Sequence, residues 1–261
     1  MWSRYVQGKQ TYEQLAKQQG VTKQTIQNRL DATDPPMKRN NMQPQRTVII
    51  MDTTYFKKQF GVMVWRDAYR KKNIKRMYVK REKISQYKDG IKTLQDKGWE
   101  IIGIVCDGRR GLLTGFSDIP VQMCHFHQVA IIRRYITNNP RLEAGKELKE
   151  IVATLKETDK TSFEGRLIEW YEKWGEFLKE KTVDKETGRW HYTHRRLRSA
   201  YFSLKRNLPN LFTFEDYYER NIPTTTNSLD GSFTNIKNKL RNHPGLAQKR
   251  KIKFIEALIF D

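Results

Sequence analysis

The sequence predicts an α/β fold, in which a mixed β-sheet carrying an all-helical insertion follows a small all-α segment. Three observations predict it. Two short stretches with helical periodicity flank a glycine near the start of the chain, apolar runs of strand length follow from residue 47, and a long stretch with helical periodicity comes later. We therefore expect three parts: residues 1–32 as the all-α segment, 33–46 as a linker, and 47–261 as the sheet domain, with the helical insertion at about 139–210.

The chain is strongly basic. Its 261 residues include 50 lysines and arginines against 29 acidic residues, which gives a formal net charge of +21. The hydrophobic fraction of 37% is enough for a folded core, so the composition argues against global disorder. A protein this basic usually binds a polyanion, and nucleic acid is the commonest one. On composition alone, a basic protein that associates with ribosomes or membranes remains an alternative.

Cysteine usage and hydropathy indicate the compartment. Cys106 and Cys124 are the only cysteines, so no disulfide framework is predicted and a reducing compartment fits. No apolar run approaches the ~20 residues that a helix needs to span a bilayer. The N-terminus has no apolar signal core. We expect a cytoplasmic, nucleoid-associated protein with no membrane partner, or a nuclear protein if the source is a eukaryote.

Residues 11–30 predict two short helices around a tight turn. Thr11 and Gln14 have the spacing of a capping box, and Gly20 can end the first helix in a left-handed conformation. The inward-facing positions of the second helix leave polar and basic residues exposed. This pattern is typical of a helix-turn-helix that binds DNA, and the alternative is an ordinary helical hairpin. The predicted DNA contacts are Lys23, Gln24, Thr25, Gln27, Asn28 and Arg29.

The region after the linker predicts a sheet. The linker itself is polar, contains prolines and lacks periodicity. The run that follows it is apolar on both faces, which is typical of a central strand. The order of elements is β-β-β-α-β-α-β-α, and that order matches a ribonuclease-H-like sheet. The predicted strands cover residues 47–51, 60–66, 75–81, 101–106 and 121–124, and the first helix covers residues 84–97.

Two predicted strands end in an aspartate. Asp52 follows the first strand and Asp107 follows the fourth, and strands separated by a helix run parallel, so both carboxylates would emerge at one edge of the sheet. Two carboxylates brought together without basic partners repel each other, unless a divalent cation lies between them. Two such ions can activate a nucleophile and stabilise a leaving oxygen at a phosphate. The alternative is that each aspartate only opens a loop.

The order of four motifs resembles that of the Mutator-like insertion-sequence DDE transposases. The motifs are Asp52 in Met-Asp-Thr-Thr-Tyr-Phe, Asp107 in Cys-Asp-Gly-Arg-Arg-Gly, Cys-His-Phe-His-Gln at residues 124–128, and Thr-Thr-Asn-Ser-Leu-Asp at residues 225–230. The resemblance covers nearly the whole chain. It implies a ribonuclease-H-like domain that binds two Mg²⁺ (or Mn²⁺) ions through Asp52, Asp107 and Asp230. It also implies cleavage of double-stranded DNA at terminal repeats, strand transfer into target DNA, and a homo-oligomer on DNA.

The third acidic position departs from the family, which normally has glutamate where this chain has Asp230. Asp230 and the cations Lys237 and Arg241 recur at helical spacing beside an apolar stripe. A helix with this face suits a position next to a metal-bound phosphate, with the cations on the flanking DNA backbone. The alternative is a solvated face of an ordinary amphipathic helix.

Other residues are candidates for DNA contact because of the resemblance or because of clustered charge. Cys124 and His127 also have metal-ligand spacing, and a zinc site with His191 and His194 is the minor alternative. The further predicted DNA contacts are Arg109, His127, Arg195, Arg196, Asn227 and His243.

Two other functions remain open. A catalytically decayed or domesticated DNA-binding protein derived from a transposase is favoured by Asp230, and also by the short ends of the chain, which fit a truncated copy. A structure-specific nuclease on the same fold would cut DNA without joining it.

Overall fold

The computed structural model describes residues 1–35, 42–244 and 246–260. Residues 36–41 of the predicted linker lie outside the described residues. The strands are β1 (Arg46–Phe56), β2 (Phe60–Asp67), β3 (Lys72–Val79), β4 (Glu100–Cys106), β5 (Val121–Met123), β6 (Lys181–Val183) and β7 (Trp190–Tyr192). The α-helices are α1 (Trp2–Val6), α2 (Tyr12–Gln19), α3 (Lys23–Ala32), α4 (Ile84–Asp96), α5 (Arg110–Leu113), α6 (His125–Ile136), α7 (Glu143–Ala153), α8 (Lys160–Trp174), α9 (Arg195–Leu211), α10 (Thr213–Asp216), α11 (Asn227–Arg241) and α12 (Gln248–Glu256).

The fold is mixed α/β and contains a five-stranded sheet with the strand order β3-β2-β1-β4-β5. The β1–β2 and β2–β3 pairs are antiparallel, and the β4–β5 pair is parallel. The chain divides into two units, with the boundary inside β4. The first unit comprises Met1–Ile101 and Asn227–Asp261, and the second comprises Ile102–Thr226.

Helices α2 and α3 and the turn between them confirm the two short helices and tight turn that residues 11–30 predict. The Thr11 hydroxyl accepts a hydrogen bond from the Gln14 amide at 3.2 Å, and the Gln14 side chain accepts from the Thr11 amide at 2.8 Å. Gly20 ends α2 with a φ of 63°, in the left-handed region that glycine adopts without steric cost. Leu15 and Ile26 are fully buried. The binding of DNA by this pair of helices remains a prediction.

The first strand is longer than predicted, and Asp52 lies inside it rather than at its end. β1 continues to Phe56, and Asp52 is paired with Val64 of β2. The segment after Asp52 consists of β-branched and aromatic residues, which favour the strand. The antiparallel partner β2 continues alongside it. The expectation that Asp52 marks a strand end was therefore wrong.

The sheet of the first unit is covered by α4. Trp65 on β2 is fully buried and packs edge-on against Tyr87 of α4, with the ring centroids 6.1 Å apart. Gly90 permits this close approach, because a Cβ there would lie 2.0 Å from Cζ2 of Trp65. Helix α12 joins the same unit through its Glu256, which accepts hydrogen bonds from Arg76 and Tyr78 of β3.

The second unit is built around β5, α6 and α9. The buried Gln122 side chain donates to the Leu211 carbonyl at 2.8 Å and accepts from the Phe214 amide at 3.0 Å. His125 Nε2 lies 2.6 Å from the same carbonyl. These buried polar contacts tie β5 and the start of α6 to the end of α9, which fixes the beginning of α6 in the unit.

The predicted all-helical insertion contains a β-hairpin. The strands β6 and β7 pair antiparallel, with Val183 opposite Trp190. The side chain of Asp184 accepts hydrogen bonds from the backbone amides of Glu186 and Thr187, and Gly188 has a φ of 66°. A turn of this kind closes a hairpin, so the expectation of helices alone was wrong for this stretch.

The helices of the insertion bury apolar side chains. Trp170 is 3% exposed and donates from Nε1 to the Ala144 carbonyl at 3.0 Å, as a core residue does. The N-cap of α8 is Asp159, whose side chain accepts from the Ser162 amide at 2.9 Å. None of the helices that the structure describes is both long enough and apolar enough to cross a membrane.

Candidate functional site

Two of the three predicted acids, Asp52 and Asp230, belong to the first unit. Asp52 is half-buried in β1, and its Oδ1 accepts a hydrogen bond from the Thr53 amide at 2.7 Å. Asp230 lies in the first turn of α11 and is half-buried as well. Helix α11 packs against β1. The two acids are therefore carried by two elements that are in contact within one unit.

The third acid, Asp107, directly follows β4 in the second unit. Its Oδ2 lies 3.0 Å from Nε of Arg109, and its Oδ1 accepts from the Arg109 amide at 3.2 Å. Burial raises the pKa of Asp107, while the Arg109 amide and the nearby charge of His127 oppose that rise. The expectation of carboxylates without basic partners was therefore wrong for Asp107, because the sequence pattern could not show that Arg109 turns back onto it.

The Cys-x-x-His motif lies next to Asp107 in the second unit. The Cys124 thiol accepts a hydrogen bond from the Thr226 amide at 3.3 Å and lies 3.5 Å from the Thr226 hydroxyl. Burial raises the pKa of this thiol, but its hydrogen bonds with His127 and Thr226 outweigh burial, so the pKa is lowered. The motif therefore joins the N-terminus of α6 to the segment before α11, and it places His127 near Asp107.

Three carboxylates are the candidate metal ligands. Carboxylate oxygens, which Asp52, Asp107 and Asp230 offer, are the donors that Mg²⁺ prefers. Within residues 1–35, 42–244 and 246–260, no three His, Cys, Asp or Glu side chains are grouped so that they could hold a metal ion. Of the two histidines in the alternative zinc site, His194 stacks on Phe177 and lies 3.0 Å from Glu180 Oε2.

The predicted DNA contacts of the N-terminal helices all lie in α3. Lys23, Asn28 and Arg29 are exposed, and the two buried positions of the helix are Ile26 and Leu30. Some of these polar groups contact one another or α2. Gln24 donates to Asn28 at 2.8 Å, Thr25 Oγ1 lies 2.8 Å from Thr22 Oγ1, and Arg29 donates to Gln19 at 3.0 Å. Gln27 is half-buried.

Lys237, Arg241 and His243 line one cavity of about 380 Å³ in the first unit, which we call the α11 pocket. Sequence reasoning had singled out these three residues but not their common cavity. It missed the others, among them Lys57 and Lys251, which come from the end of β1 and from α12. The only sequence signal for them was the pair of basic runs, Lys57-Lys58 and residues 249–253.

The remaining predicted contacts lie in three places. Arg196 donates from Nη2 to the Arg134 carbonyl at 2.6 Å, and Arg195 is exposed at the start of α9. Asn227 is exposed at the start of α11. Arg109 is paired with Asp107 in the loop after β4. Arg196 therefore contacts α6 of its own unit, while it remains exposed.

Comparisons with known proteins give no family. No family model matches the chain, and no curated protein matches it. A solved chain that is similar to part of this one comes from the cryo-EM structure of the simian T-cell lymphotropic virus intasome in complex with PP2A regulatory subunit B56 gamma. It is 14% identical, with a TM-score of 0.25, and the match covers 56% of this chain and 64% of that chain, which is less than two thirds of its length. At this TM-score the likeness supports no argument about function.

Proposed function

We propose that the chain is a DDE-type DNA transposase with a ribonuclease-H-like catalytic domain and a DNA-binding helix-turn-helix. The observation that carries the proposal is the placement of its acids on regular elements. Asp52 lies in the first strand of the sheet, Asp107 directly follows the fourth, and Asp230 lies in the first turn of α11. The strand order, with an antiparallel part followed by a parallel pair, is compatible with this fold.

As the resemblance implies, Asp52, Asp107 and Asp230 would hold two Mg²⁺ or Mn²⁺ ions, although the three carboxylates do not form a metal-binding group among the described residues. When bound, such ions supply charge at the attacking and leaving oxygens of a phosphodiester. The chain's own residues would position the DNA and neutralise its charge, which is the main protein contribution in phosphoryl transfer. Arg109 would release the Asp107 carboxylate to a cation and then be available to a DNA phosphate.

Helix α11 would carry DNA contacts beside its acid. Asp230 stands in the first turn of α11, while Lys237 and Arg241 lie further along it and line the α11 pocket. Cations in such positions contact the DNA backbone and fix its register without reading its sequence. The exposed face of α3 would bind the terminal repeats, and the formal net charge of +21 would add affinity for any DNA sequence. A homo-oligomer on DNA is part of the proposal.

The proposal is tested by nicking of DNA that carries the repeats flanking the gene, with Mg²⁺ or Mn²⁺ and with chelator. We expect metal-dependent nicking by the native chain and none by Asp107→Ala. Asp118→Ala, which removes an exposed carboxylate from the same unit, is the matched control and should nick normally. Asp230→Glu restores the residue that the resemblance implies, and we expect an equal or higher nicking rate.

A decayed or domesticated DNA-binding protein is the second candidate, and one contact favours it. The guanidinium of Arg109 is paired with Asp107, and a chain without catalysis would not need to break this ion pair. This candidate predicts salt-sensitive binding to the repeats, no nicking by the native chain and no gain from Asp230→Glu.

A further inference from the structure

The α11 pocket has the charge of an anion-binding site. Four cations line it, namely Lys57 after β1, Lys237 and Arg241 on α11, and Lys251 on α12. No acidic residue is among its described lining residues. Lys251 donates to the Gln59 side chain at 2.7 Å, a neutral partner that leaves the positive charge of the pocket intact. An anion that entered the pocket would be stabilised by these positive charges.

The same pocket also has an apolar wall. Leu240, Pro244 and the ring of Tyr55 lie among its lining residues. Tyr55 is paired with Gly61 across the hairpin, and a Cβ at Gly61 would lie 3.0 Å from Cε1 of Tyr55. The ring therefore rests over the bare backbone of Gly61. Tyr55 is 38% exposed, so part of its ring is accessible.

A buried polar atom without a protein partner adds a third feature. His243 lines the pocket and is only 7% exposed, and its Nε2 has no hydrogen-bond partner among the described residues. The ring packs against Tyr5, with the centroids 4.3 Å apart, and it also has a hydrogen bond with the Tyr5 backbone. A buried polar atom in this state calls for a ligand or a water.

We propose that the α11 pocket binds one unpaired nucleotide of a DNA strand, with the phosphate on the cations and the base against Tyr55 and Leu240. The choice of DNA as the source of that nucleotide rests on the proposed function. A lone phosphate would use only the cations, whereas a cavity of about 380 Å³ with an apolar wall accommodates a small organic group. Unpaired bases stack on aromatic side chains, and basic grooves hold their backbone.

The inference is tested by binding at fixed salt without metal. The probes are a blunt DNA duplex, the same duplex with a single-stranded thymidine 3′ overhang, and the same duplex with an abasic overhang. We expect the native chain to bind the thymidine overhang about tenfold more tightly than the blunt duplex, because stacking of one base is typically worth that much. The abasic overhang should lose most of this preference.

Two pairs of variants assign the preference to the pocket. Tyr55→Ala should abolish it, while Tyr55→Phe should keep it, because the ring is needed and the hydroxyl, which accepts from the Glu82 amide, is not. The double variant that combines Lys57→Gln and Lys237→Gln should also have a reduced preference for the thymidine overhang. The control removes two exposed lysines from α4 of the same unit, Lys88→Gln with Lys92→Gln, and should weaken binding to all three probes equally.

Melting temperatures of all variants are measured first, so that loss of folding is recognised. Equal binding of the overhang and blunt probes by the native chain overturns the inference, and so does an unchanged preference in Tyr55→Ala. If the native chain still nicks DNA when one of these two results is obtained, only the proposal that the α11 pocket binds a nucleotide fails. If the native chain binds none of the probes, the proposed function fails together with the inference.

Discussion

The Arg109 guanidinium lies against the Asp107 carboxylate, with Nε 3.0 Å from Oδ2. The backbone amide of the same arginine donates to the other carboxylate oxygen at 3.2 Å. The carboxylate that we assign to a divalent cation is thus already paired with a cationic side chain. Arg109 and a metal ion would compete for Asp107.

Substitution of Arg109 should therefore strengthen metal binding while it weakens DNA binding. For Arg109→Gln we expect a lower Mn²⁺ concentration at half-maximal stabilisation, measured as the rise in melting temperature with added Mn²⁺. Arg110→Gln removes the same charge from the exposed neighbouring residue and should leave this concentration unchanged. Weaker Mn²⁺ binding by Arg109→Gln than by Arg110→Gln would contradict competition.

Asp107→Asn should abolish nicking without destabilising the fold at neutral pH. Burial raises the pKa of Asp107, so the folded state binds its proton more tightly than the unfolded state. The stabilisation from this group is complete below its ordinary value and is lost as pH rises through the raised folded pKa. The melting temperature of Asp107→Asn relative to the native chain should therefore increase as pH rises from the ordinary pKa of the carboxyl through its raised pKa in the folded state. A difference that falls with rising pH would show that the carboxylate is structural.

Gly90→Ala should destabilise the first unit. A Cβ at Gly90 would lie 2.0 Å from the buried ring of Trp65, which has no room to move, and overpacking of this kind costs about 1–3 kcal/mol. Gly231→Ala in α11 of the same unit is the matched control, because nothing lies within 4 Å of its Cβ. We expect it to stabilise the protein by up to about 1 kcal/mol through helix propensity. Denaturant unfolding gives the change in the free energy of unfolding for both variants. Equal changes in Gly90→Ala and Gly231→Ala would refute the close packing of Gly90 against Trp65.

Lys23→Gln should reduce the salt dependence of DNA binding. Lys23 is the first residue of α3 and is exposed, so it is placed to contact a backbone phosphate. Loss of one such contact lowers the slope of log affinity against log salt by about 0.9. Lys17→Gln on the exposed surface of α2 is the control and should leave the slope unchanged. If the two variants give the same slope, α3 is not the DNA-binding helix.

Local chemistry made much of the fold predictable. The capping box of Thr11 and Gln14 and the left-handed Gly20 depend on neighbours a few residues away, and both are present. The apolar runs predicted the strands of the sheet for the same reason. The extension of β1 past Asp52 was missed because cross-strand pairing with β2 sustains it, and single-strand periodicity does not record pairing.

The candidate site was predictable only in part. The motifs supplied Asp52, Asp107 and Asp230, but the partner of Asp107 depends on how the loop after β4 turns, which the sequence pattern did not show. Likewise, Lys237 and Arg241 were recognised from helical spacing, whereas Lys57 and Lys251 join them only through tertiary packing. The strands β6 and β7 have three residues each, which is too short for apolar alternation to predict a strand.

The most direct test of the central claim is an assay of both cleavage and joining. A labelled duplex with the flanking repeat is incubated with a target plasmid, Mg²⁺ or Mn²⁺, and either the native chain or Asp107→Asn. We predict nicked repeat ends and labelled joined products with the native chain, and neither with the variant. Nicking without joined products would indicate a structure-specific nuclease. Salt-sensitive binding to the repeat with neither product would contradict the transposase account and leave a DNA-binding protein.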